Sequence, residues 1–142
     1  MEAVDGALRD AGFPMGPFEL MDLVGIDVNL AAARGVWDGL GRPDRLRPSS
    51  TQERLVVEGR LGRKAGDGFY RYENGRRIEV AADFVSQNEN LPASAIVARI
   101  LGAIGEEAVR ARDEGVATEA DIDLALRLGA AHPIGPFERL GA

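Results

Sequence analysis

The segment Pro14-Met15-Gly16-Pro17-Phe18-Glu19 returns near the other end of the chain as Pro133-Ile134-Gly135-Pro136-Phe137-Glu138. The first proline fixes φ, and the glycine admits backbone angles closed to other residues. The second proline, followed by an apolar and an acidic residue, suits the first turn of a helix. Each copy is expected to end one helix and launch another. The approach repeats as well: Val4-Asp5-Gly6-Ala7-Leu8-Arg9 aligns with Ile122-Asp123-Leu124-Ala125-Leu126-Arg127, the second copy having one extra residue before its proline. Such self-similarity reads as an internal duplication, unequally trimmed. The expected organisation is a first helical module over residues 1–85, lacking its first helix and carrying a hairpin, and a second, partial module over residues 91–142.

Periodicity fills in the elements. Val4, Ala7, Leu8 and Ala11 share one face of a helix closed by Gly12. Phe18, Leu20, Met21, Leu23 and Val24 predict a short, almost wholly apolar helix ended by Gly25, and so little polar surface predicts burial. Asp27 is placed to cap the next helix, through Val28, Leu30, Val36, Trp37 and Leu40, before Gly39, Gly41 and Pro43 break it. Arg42 to Ser50 reads as a linker, and Ser50 with Glu53 as a capping box opening a helix to about Gly59. Phe69 to Tyr72, Asn74-Gly75 and Ile78 to Val80 predict a hairpin on an Asn-Gly turn. The polar run Ser86 to Asn90 reads as a second linker. From Pro92 to Glu114 runs the longest amphipathic pattern, striped by Ile96, Val97, Ile100, Leu101, Ile104 and Val109. Thr118 and Asp121 then cap the helix that leads to the second turn. No alternation of strands and helices builds a parallel nucleotide-binding sheet, so the class is all-α with one small hairpin.

The 142 residues suffice for a sizeable core. Cysteine is absent, which excludes disulfides and thiolate metal sites, and no apolar run is long enough to span a bilayer. With no signal pattern at the start, cytoplasm is the default compartment. The net charge of −6 opposes general nucleic-acid binding, yet Arg42 to Arg77 carries ten Lys or Arg against five Asp or Glu. That stretch suits phosphates, or is a solvated surface of arginines paired with their neighbours.

Chemistry is thin on residues alone. His132 is the only histidine, beside a proline turn, and reads as a surface or hydrogen-bonding residue rather than a base; a histidine metal cluster is excluded. Glu106 and Glu107 point in different directions on one helix. Arg63-Lys64-Ala65-Gly66-Asp67-Gly68 lacks the strand and helix that aim amides at a phosphate, and reads as a structural loop. Trp37, Phe18 and Phe137 lie on apolar faces, which predicts core packing. No catalytic residue, cofactor-binding residue or metal ligand is assigned.

The order of Gly12-Phe-Pro-Met-Gly-Pro-Phe-Glu-Leu-Met-Asp-Leu-Val-Gly-Ile-Asp27, a helix, and Gly62-Arg-Lys-Ala-Gly-Asp-Gly-Phe-Tyr-Arg-Tyr72 resembles the C-terminal helical domain of the 3-hydroxyacyl-CoA dehydrogenases. The second copy is similar to the repeat in members that carry this module in tandem. The resemblance implies a chain that contributes to oxidation of a 3-hydroxyacyl-CoA to the 3-ketoacyl-CoA with NAD. The family's histidine, glutamate and NAD site belong to an N-terminal domain without counterpart in these residues, so the chain is expected to be inactive alone. The family's assisting asparagine falls on a first helix that copy one lacks; the matching position in copy two is Ala98, whose methyl replaces no amide hydrogen bond. Met15, Gly16 and Pro17 would wall the acyl pocket. A homodimer is expected, with exchange of the long helix between modules as one route to it. Because copy one begins inside a repeat, Met1 reads as a cut. The alternatives are a helical interaction module that keeps only the fold and, from the basic stretch, a nucleic-acid binder.

Overall fold

The computed structural model describes residues 1–85 and 91–141; the linker expected at residues 86–90 lies outside them. Among the described residues, seven α-helices and one hairpin fall into two compact units, residues 1–2 with 17–85, and residues 3–16 with 91–141.

The first unit holds α2 (Pro17–Val24), α3 (Ile26–Gly39), α4 (Ser50–Val57) and the antiparallel strands β1 (Tyr70–Glu73) and β2 (Arg76–Val80). Asn74 and Gly75 take φ of 52° and 74°, the left-handed pair that a tight hairpin requires. Ile26, Leu55, Phe69 and Tyr70 form the buried core. Phe18 and Phe84 add rings against Phe69, at centroid separations of 4.9 and 5.3 Å. Each fully buried aliphatic side chain here contributes about 1.5–3 kcal/mol.

Four local expectations are corrected. Helix α2 is not buried: Leu20, Leu23 and Val24 are 44–47% exposed, and its buried residue is Asp22. It turns Phe18 and Met21 toward the core, leaving its other apolar residues outside. Asp27 does not cap α3, which starts from Gly25; its carboxylate instead takes Lys64 Nζ at 2.6 Å, which lowers its pKa. Ser49, not Ser50, caps α4, its Oγ accepting from Gln52 N across a long 3.5 Å, while Glu53 pairs with Arg34. Trp37 is half-buried and outside the core cluster: its Nε1 donates to the Pro43 carbonyl, and Arg42 lies over its ring.

The second unit contains α1 (Glu2–Asp10, from Ala3 onward), α5 (Ala93–Asp113), α6 (Glu119–Gly129) and α7 (Pro136–Leu140). Ala7 and Leu8 of α1 bury against Ile96 of α5, with Val97 and Ile100 alongside. The long helix of the second repeat thus covers the apolar face of the first repeat's opening helix within one chain. Gly12, at φ 96°, closes α1 as Phe13 N donates back to the Leu8 carbonyl. Thr118 caps α6 as expected, accepting from Asp121 N. Phe137 is half-buried beneath the Arg112 guanidinium and stands outside the core cluster.

Candidate functional site

The repeated turns are organised by buried aspartates. Asp123 of α6 accepts from the backbone N–H groups of Phe137 and Glu138 at 2.8 and 3.0 Å, satisfying donors that the start of α7 leaves open. Glu138 reaches back to accept from Gly135 N at 3.0 Å. Gly135 is required because a Cβ there would overlap the Asp123 side chain. Asp5, aligned with Asp123 by the duplication, is fully buried, and a Cβ on Gly16 would overlap it in the same way. The two turns also meet: Phe13 packs edge-on to His132 at 5.0 Å, and Gly12 abuts Pro133. Burial, then the charge of Arg139, holds the His132 imidazole below its usual pKa. That aromatic contact is its visible role.

Met15 is half-buried and Gly16 buried at the end of this turn, and Pro17 opens α2. Asp22, the one buried residue of α2, fastens the 61–72 loop: it accepts from Phe69 N, Tyr70 N and Tyr72 Oη at 2.9–3.0 Å. Burial, with the Asp22 charge beside it, raises the Tyr72 pKa and keeps the phenol a donor. Gly62 at φ 89° passes so close to the Asp22 backbone that a Cβ would collide with it. The loop is therefore a structural clasp. Neither periodicity nor motif spacing marks Asp5, Asp22 or Asp123, although the duplication itself sets Asp5 over Asp123.

The basic stretch is largely neutralised. Arg42, Arg47, Arg54, Arg60, Lys64, Arg71 and Arg77 all have carboxylate partners within 4 Å. Arg60, assisted by Arg54, holds Asp83 down to about 2. Paired arginines offer little to a phosphate backbone, which leaves the nucleic-acid alternative without support.

A cleft of about 1090 Å³ opens within the second unit, floored by α5 through Val97, Ala98, Leu101, Gly102 and Gly105 and walled by α1 and α7. Ala98 lies in this floor. Met15, Gly16 and Pro17 are not among its lining residues. Among the described residues no cluster of metal-ligating side chains occurs, and no helix is long and apolar enough to cross a membrane.

The sequence profile of the 3-hydroxyacyl-CoA dehydrogenase C-terminal domain matches residues 1–72 and 96–141. This chain belongs to that family. The match embraces both copies of the turn, and it bears out the resemblance and the helical fold with its small hairpin. The 3-hydroxyacyl-CoA dehydrogenase relatives include the 3-hydroxyadipyl-CoA dehydrogenase of Escherichia coli, 47% identical over 88 residues, which cover 61% of this chain and 18% of that protein. The fatty acid oxidation complex subunit alpha of Acinetobacter baylyi is 33% identical over 96% of this chain and 20% of its own length. The crystal structure of 3-hydroxybutyryl-CoA dehydrogenase from Escherichia coli superimposes with a TM-score of 0.76 at 29% identity, covering 95% of this chain and 46% of that one. The chain thus spans about a fifth of the curated relatives it matches.

Proposed function

We propose that this chain is the acyl-CoA-binding and dimer-forming helical part of an NAD-dependent 3-hydroxyacyl-CoA dehydrogenase of fatty acid oxidation, working in the cytoplasm. One observation carries the reading: a family match spans both repeats, while the only sheet among the described residues is a two-stranded hairpin. A hairpin supplies no crevice at the ends of parallel strands, where dinucleotides bind. NAD, the base and its partner accordingly belong to a domain outside these residues. The half-buried Met15, in the turn it makes with Gly16 and Pro17, offers an apolar wall to the acyl chain. Ala98 carries no amide, which supports reading the second repeat as structural. Acetoacetyl-CoA and NADH added to this chain are expected to show no NADH loss above background; turnover would overturn the assignment of hydride transfer to another domain.

A further inference from the structure

The function proposed above makes no use of the cleft in the second unit. Its volume of about 1090 Å³ is at the upper end of small-molecule sites, and its lining follows α5 from Ala93 to Asp113. The floor lies low between α1 and α7. Gly105 is buried within it, and Ala98 and Gly102 add little bulk, so a thin occupant can come close to the helix backbone. From Ala98 to Gly105 is about 10 Å along the axis, the reach of an octyl chain. Val97, Leu101, Ile134 and Leu140 make the lining apolar, the last two 46% and 62% exposed.

The charges of the cleft are unevenly matched. Arg139 of α7 and His132, in the turn before it, are half-buried in the wall. Among the described residues Arg139 makes no ion pair and the His132 ring no hydrogen bond. Asp10 of α1 and Glu106, Arg110 and Asp113 of α5 also line the cleft. Asp113 pairs with Arg112 at 2.8 Å, and Arg110 faces Glu107 at 3.8 Å. Asp10 and Glu106 are exposed to solvent. At His132 only burial and the Arg139 charge are felt, which makes that part of the wall a positive spot with no anion to offset it.

We propose that this cleft binds a medium-chain carboxylate, its alkyl chain along the Ala98–Gly105 floor and its carboxylate on the Arg139 guanidinium beside His132. A guanidinium meets a carboxylate with two parallel N–H donors, and a protonated imidazole adds a third. The floor takes the chain out of water, so length sets the preference: octanoate spans the floor, and butyrate leaves much of it uncovered. Met15, Gly16 and Pro17 do not line the cleft. The site therefore stands apart from the acyl-CoA reading, and either can fail while the other holds.

Calorimetric titration of the chain and two variants with sodium octanoate tests it. One site with a dissociation constant of about 0.1–1 mM is expected, and butyrate should bind at least about tenfold more weakly. Arg139→Gln should weaken octanoate about tenfold and leave 1-octanol, the same chain without the charge, unchanged. Gly102→Leu, whose side chain has open space in the floor, should abolish binding and keep the parent's helical content by circular dichroism. His132 is the only histidine, so its ring protons can be followed singly by NMR. Saturating octanoate should raise the midpoint of their titration by about 1 in pH, because a bound carboxylate favours the imidazolium. No saturable binding to the parent at about 10 mM octanoate, or binding that survives Gly102→Leu, would overturn the cleft site. Equal octanoate affinity in Arg139→Gln, with an unmoved His132 midpoint, would overturn the placement of the carboxylate.

Discussion

Replacing Asp22 by alanine should destabilise the first unit by about 3–5 kcal/mol. The carboxylate is fully buried and accepts from two backbone amides and the Tyr72 hydroxyl, so its loss strands buried donors where water cannot replace it. The amides belong to Phe69 and Tyr70, both members of the core cluster, so the damage reaches the Ile26–Leu55 packing and is not confined to a loop. Tyr72→Phe removes one donor of the three and should cost only about 1 kcal/mol. Urea unfolding followed by the fluorescence of Trp37, the single tryptophan, reports on this unit. A loss for Asp22→Ala no larger than that for Tyr72→Phe would show that the clasp does not hold the core together.

The second large effect is expected at the repeated turn. Gly135→Ala should cost about 2–4 kcal/mol, because the new methyl overlaps the Asp123 side chain and displaces the carboxylate from the amides of Phe137 and Glu138. The backbone at Gly135 has φ −66°, open to any residue, so the effect is steric and not conformational. Gly6→Ala, in α1 with nothing within 4 Å of the added methyl, should by contrast stabilise by about 0.5–1 kcal/mol. Thermal unfolding of the two variants is expected to move in opposite directions. Destabilisation of equal size in both would mean that the packing around Asp123 is not what selects glycine.

Much of this was legible because it is local. Thr118 caps α6, Asn74-Gly75 turns the hairpin and Gly12 closes α1, since each depends on a few consecutive residues. The duplicated turn was equally visible, as identical requirements left identical residues. What sequence could not give was the partner of each charge. Asp27 looks like a helix cap until Lys64, distant in the chain, arrives to pair with it. Asp22 looks like one polar residue in an apolar helix until the 61–72 loop brings three donors to it. The burial of α2 failed for the same reason: composition tells how apolar a helix is, not which of its faces meets the core. At the candidate site, periodicity marked α5 but not the cleft, which exists only because α1 and α7 stand beside it.

An acyl-CoA-binding role for these repeats is tested most directly by calorimetric titration of the chain with acetoacetyl-CoA. Saturable binding is predicted, carried by apolar contact with the acyl end of the ligand. Absence of heat and of any shift in unfolding temperature at millimolar ligand would contradict that role, and leave a helical interaction module that has kept only the fold.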